Sequence, residues 1–198
     1  MKIYDISQEV FSCAVYPGDP APLKEELCSM EQGDLYNLSA FSMCAHNGTH
    51  LDAPAHFIKE GKRIDELSLE KTVGLCFVSA HCGLVEKEDA ERILAKAKAE
   101  QEGAQMRILI KGQATVSQQA AEVFAKAGIH LLGNESQTVG PEDAPMKTHQ
   151  ILLSRDVVLL EGVRLSQVPE GVYLLFAAPL LLGGAEGAPV RAVLVKTA

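Results

Sequence analysis

Between residues 46 and 56 the chain reads His-Asn-Gly-Thr-His-Leu-Asp-Ala-Pro-Ala-His, and no other stretch limits the possible folds so tightly. Three of the six histidines and an aspartate fall at positions 46, 50, 52 and 56, all even. In extended backbone alternate side chains point the same way, so four residues of one parity can converge on one side. A helix suits the run less well. His46 and His50 would share a face, but Asp52 would turn away, and Gly48 and Pro54 both oppose helix. Imidazole and carboxylate are the donors that Zn²⁺, Mn²⁺ and Fe²⁺ favour, and three protein ligands plus a water form a common catalytic site. Gly48 permits a tight bend between two ligands, and the Thr49 hydroxyl can orient one of them. The residues alone leave alternatives open. His56 can be a ligand or a proton carrier, the run can be a polar strand and loop whose histidines merely cluster, and Cys44 can be a soft ligand or a small packed residue.

The bulk of the sequence removes several function classes. A chain of 198 residues, 47% hydrophobic and 22% charged, suits one globular domain over 1–198 with a sizeable core. Its formal charge is −8 and its basic residues are scattered, which excludes a nucleic-acid footprint and a membrane-binding patch. The start, MKIYDIS, lacks the pattern of a signal peptide, and the longest apolar run, 172–182, contains Pro179 and is too short to span a bilayer. Five cysteines at 13, 28, 44, 76 and 82 form no CxxC pair, so reduced thiols in a cytoplasmic protein are expected.

Short β-branched and aliphatic segments bounded by Gly, Pro or charge predict strands at 2–6, 10–15, 36–45, 75–80, 107–110, 129–132, 157–160, 172–177 and 189–195. Helices are expected at 87–101, at 116–127 before the C-capping Gly128, and at 146–154 after Pro145. Strand and helix alternate in the middle and strands dominate both ends. The fold class expected is α/β, a single domain with a mixed sheet flanked by helices.

His46 to Phe57 closely resembles the HxGTHxDxPxHF signature of the cyclase family of metal-dependent hydrolases, which includes bacterial kynurenine formamidases and isatin hydrolases, and every fixed position is present. The resemblance extends to Tyr16-Pro17-Gly18-Asp19, to Lys147-Thr148-His149 and Leu160-Glu161-Gly162, and to Pro179-Leu180 with the final block Gly184 to Ala192, in the family's order. It implies the family's swivelling β/α/β-type fold, with His46, His50 and Asp52 as ligands of a first divalent ion, zinc or manganese. Asp52 would bridge to a second ion held by His149, and Glu161 would bridge both. His56 resembles the family's catalytic histidine, held by Pro54 and Phe57; its ordinary pKa lies near neutrality, which suits a proton carrier. Tyr16 falls where the family sets an aromatic residue against the substrate. The small-molecule substrate implied is an amide, with an aryl formamide as reference and a cyclic amide as alternative; a non-catalytic binder on the same scaffold is the runner-up class. The resemblance also implies a homo-oligomer, a dimer or a tetramer.

Two departures bear on the substrate. Lys111-Gly112-Gln113-Ala114-Thr115 replaces a longer family segment and is expected to run straight into a helix, leaving the pocket more open. Glu135 stands where relatives often carry Asp, which lengthens a side chain expected to hydrogen-bond behind the ligands.

Overall fold

Aliphatic runs ending at Gly, Pro or charge become strands, and the Ala-rich amphipathic stretches between them become helices. The computed structural model describes residues 1–196. Its first strands are β1 (Lys2–Asp5), β2 (Leu23–Cys28), β3 (Leu38–Ser42), β4 (His50–Asp52), β5 (Val73–Ala80) and β6 (Gly83–Val85). Then follow α1 (Lys87–Glu100), β7 (Arg107–Lys111), β8 (Ala114–Val116), α2 (Gln118–Lys126), β9 (Leu131–Asn134) and α3 (Pro145–Leu153). The last are β10 (Val158–Glu161), β11 (Gly171–Phe176), β12 (Gly187–Pro189) and β13 (Val193–Lys196).

Nine of these strands form one mixed sheet in the order β1-β13-β11-β5-β7-β9-β10-β4-β12. β5, β7, β9 and β10 lie parallel at its centre. β11, β13 and β1 extend it antiparallel on one side, and β4 and β12 on the other. The central strands are buried on both faces, which is why they read as continuous apolar runs rather than alternating ones. On one face Phe77, Ile108, Leu132 and Leu159 pack against Ile93 of α1, Phe124 of α2 and Leu152 of α3. On the other, Val78, Leu109 and Leu160 share a cluster with Leu194 of β13 and Ala188 of β12. Strands from opposite ends of the sheet meet in that cluster, so the sheet is curled around it. The α/β expectation with a mixed sheet and flanking helices holds. No helix among the described residues is long and apolar enough to cross a membrane.

Local chemistry moved several expected boundaries. Residues 10–15 are not a strand: the Glu9 carboxylate accepts from the N–H groups of Phe11 and Ser12 and caps a short 3₁₀ turn, Val10–Ser12. The strand expected at 36–45 contracts to β3 and pairs with β2, which was not expected. The one expected at 189–195 divides into β12 and β13 on opposite sides of the sheet, because Val190 leaves to donate its N–H to Thr49 O and to bridge Pro179. α2 starts after Ser117, whose hydroxyl accepts from Ala120 N, while Val116 stays in β8.

Candidate metal centre

The antiparallel register of β4 on β10 sets His50 opposite Glu161 and Asp52 opposite Leu159. Leu159 belongs to the helix-side cluster, so His50, Asp52 and Glu161 face the helices, where α3 brings His149. Extended backbone covers only His50–Asp52. The alternation expected over the whole run therefore places two of its four side chains. The other two arrive by turns: His46 precedes a bend at Gly48 (φ 65°), and His56 ends a 3₁₀ turn, Pro54–His56. On the outer side of β4, Gly187 opposes Asp52. A Cβ at Gly187 would lie 2.6 Å from His46 Cε1, so only glycine lets that ring lie against β12.

His46 Nδ1 lies 2.8 Å from Asp52 Oδ1, and His50 Nε2 lies 3.3 Å from the same oxygen and 3.4 Å from Glu161 Oε2. His149 Nε2 lies 3.1 Å from Glu161 Oε1 and 3.7 Å from Asp52 Oδ2. Two groups that could hold a metal ion result, His46/His50/Asp52 and Asp52/His149/Glu161, each with its donor atoms within 4.8 Å of one another. Asp52 is common to both, and the two oxygens of Glu161 reach towards His50 and His149. The ring nitrogens are pre-aimed. His50 Nδ1 faces Gly48 O at 3.1 Å and His149 Nδ1 faces Pro145 O at 2.8 Å. A carbonyl only accepts, so both rings donate through Nδ1–H and, when neutral, turn a free Nε2 lone pair inwards. Asp52 Oδ2 is buried without a hydrogen-bond partner, a costly state for a carboxylate oxygen that a cation would relieve. Donor types, spacing and this orphaned oxygen all fit a divalent ion.

The electrostatics agree. Burial lowers the pKa values of His50 and His149, but the carboxylates of Asp52 and Glu161 outweigh it and raise them to about 10 and about 9. Burial pushes Asp52 and Glu161 upwards; in Asp52 the neighbouring histidines prevail and hold it well below the usual range, and His149 and His50 lower Glu161 likewise. Positive charge is demanded at the point between these side chains.

His56 belongs to neither ligand group. Its ring stacks on His46 at 4.0 Å and 26°, with Phe57 edge-on at 4.4 Å. Burial lowers its pKa, so it is a neutral base at neutral pH. Tyr16 lines a cavity of about 1000 Å³ with Gln113, Glu135, Gln137, Thr138 and Arg164, but none of the cluster residues lines it. Residues 111–115 do not run straight into the helix; they lead from the end of β7 into β8, which pairs with β6, and Gln113, Ala114 and Thr115 supply part of that cavity's wall. Glu135 accepts from Gly112 N at 2.6 Å and Leu165 N at 2.8 Å, tying two loops rather than bonding a ligand. His81 and His130 take structural partners, Leu84 O and Arg107, and Cys44 enters neither ligand group. One neighbour escaped the sequence reading: Glu186 Oε1 lies 3.3 Å from His46 Nε2. Its only signal was its place in the Gly184–Ala192 block, beside the glycine that His46 packs on.

A family model whose description reads "Putative cyclase" matches residues 4–141. A kynurenine formamidase of Bacillus cytotoxicus is 32% identical over 96% of this chain and 95% of its own, and one of Salinibacter ruber is 33% identical over 98% and 97%. A solved structure described as a potential metal-dependent hydrolase with cyclase activity superposes with a TM-score of 0.80 at 28% identity, covering 98% of this chain and 96% of that one. Isatin hydrolase A of Labrenzia aggregata shares the fold at 21% identity, with a TM-score of 0.78 over 99% of this chain and 94% of its own.

Proposed function

This chain belongs to the cyclase family, and we propose that it is a metal-dependent hydrolase of amide-type C–N bonds, with the conversion of N-formylkynurenine to kynurenine and formate as reference reaction. The observation that carries the reading is the pair of candidate groups sharing Asp52, whose buried Oδ2 has no hydrogen-bond partner. His46, His50 and Asp52 would hold one divalent ion, and Asp52, His149 and Glu161 a second, zinc or manganese in either place. An ion held there supplies Lewis acidity that activates water and polarises a carbonyl.

The chain's own residues do the rest. Water oxygen bonds to the amide carbon, the C–N bond breaks, and the departing nitrogen must receive a proton. His56 is the group for that transfer: neutral at the outset, it takes a proton from the attacking water and returns it to the departing nitrogen; it stacks against His46 and belongs to neither ligand group. The Tyr16 ring would pack against the aromatic part of the substrate. Gln137 and Thr138 line its cavity, and the next residue, Val139, donates its N–H to Glu161 Oε1 at 2.7 Å, so one short segment touches both the cavity and the centre.

The protein is read as a single cytoplasmic domain that works as a homodimer or tetramer. Support for the oligomer comes from β2 and β3, whose Leu23, Leu27, Leu38 and Phe41 are exposed on a two-stranded arm that is marginal by itself. The direct test of function is hydrolysis of an aryl formamide by the wild type and by His56→Asn, with bound metal measured in both. A fall in kcat of about 10²–10⁴ with metal content unchanged is expected. Retained turnover at full metal occupancy would remove His56 from its role, and no turnover by the wild type on formamides, other amides or lactams would overturn the function.

A further inference from the structure

The three histidine ligands do not present themselves alike. His50 and His149 donate through Nδ1 to backbone carbonyls and turn Nε2 inwards. His46 is reversed: Nδ1 faces Asp52 Oδ1 at 2.8 Å, and Nε2 points outwards to Glu186 Oε1 at 3.3 Å. A neutral imidazole carries one N–H, and the nitrogen that serves as ligand must be the other one. His46 therefore needs an acceptor on Nε2, and among the described residues the Glu186 carboxylate is the group in place.

The backbone holds Glu186 there. Glu186 O accepts from Ala53 N at 2.8 Å, one residue beyond Asp52, and Ala185 O accepts from Ile64 N at 2.8 Å. Gly184 N donates to Asp65 Oδ1 at 3.0 Å, and Gly184 O accepts from Arg63 Nη1 at 2.7 Å. The segment carrying Glu186 is thus sewn to the segment that follows the ligand run. Gly187, next in the chain, leaves room for the His46 ring, and His56 stacks on that ring.

Resting on the metal-centre reading above, we propose that Glu186 is a positioning residue: its carboxylate accepts the Nε2–H of His46, commits Nδ1 as the ligand nitrogen, and keeps the ring in the plane on which His56 stacks. A hydrogen-bonded acceptor on the far nitrogen also makes the ligand nitrogen more basic. Loss of Glu186 should then weaken one of the two metal positions and spare the one built on His149 and Glu161.

Metal-free wild type, Glu186→Ala and Glu186→Gln are titrated with Zn²⁺ against a chromophoric chelator, and the zinc-loaded proteins are examined by ¹⁵N NMR of the histidine rings. Glu186→Ala should weaken one zinc position by about 10–100-fold, and Glu186→Gln, whose amide oxygen still accepts, by less. In zinc-loaded wild type His46 should show a protonated Nε2 and a metal-bound Nδ1. Equal zinc affinity in Glu186→Ala, or a protonated Nδ1 on His46, overturns the role. Equal weakening of both positions together with a lowered Tm would mark Glu186 as merely structural and also overturns it. A wild type that binds no zinc defeats the metal-centre reading itself, an outcome distinct from these.

Discussion

His50 and His149 sit almost wholly inside the protein against two carboxylates, and their protonation is tied to whatever fills the centre. In the metal-free state their pKa values of about 10 and about 9 stand above the ordinary histidine value, so their ion pairs stabilise the fold fully below that value. That contribution is lost as pH rises through about 9 and about 10. Metal binding needs neutral rings, so uptake at neutral pH should release on the order of two protons, and affinity should rise with pH up to that window. Calorimetry in buffers of different ionisation enthalpy measures the release; a buffer-independent heat and a flat pH profile would contradict the assignment. At this scale His46, His50 and Asp52 were legible because they share one short run. His149 and Glu161 were legible only through the family pattern, since each is a single polar residue at the edge of an apolar stretch, and nothing in its own neighbourhood marks it as a ligand. The separate role proposed for His56 was likewise legible only through the family pattern; its spacing left ligand and proton carrier open, and in the structure it stacks on His46 outside both groups.

Among the elements, β4 is a three-residue strand that carries two of the proposed ligands, and its neighbours fix them: β10 supplies Glu161 in register and β12 supplies a glycine where His46 needs space. Strands this short hold too few residues for a period to declare itself, which is why β6 and β8 were not read from the sequence and β12 was caught only at Pro189. The longer amphipathic helices were legible, because repeated apolar positions and capping residues mark them twice over. α2 shows how much the site depends on that layer. Phe124 is fully buried and packs in the cluster that contains Leu152 of α3, the helix of His149. Phe124→Ala should cost about 3–5 kcal/mol, read as a shifted denaturant midpoint with an unchanged m-value. A loss below about 1 kcal/mol would mean that α2 does not anchor this layer.

For the whole molecule, the strand order sets the first strand beside the last, β1 pairing with β13, and residues far apart in sequence close around one core. The class of fold was legible in the alternation of strand and helix. The curl was not, because it depends on which faces share a cluster, and no local pattern records that. The exposed arm of β2 and β3 belongs to this scale too: light scattering should report a dimer or larger, and a monomer at working concentration would leave the arm's exposed apolar side chains unexplained. The proposed activity depends on a bound divalent metal. Purified protein stripped by chelator, with metal quantified before and after, should lose turnover of an aryl formamide and regain it on addition of Zn²⁺ or Mn²⁺. Full turnover by the metal-free chain would contradict it.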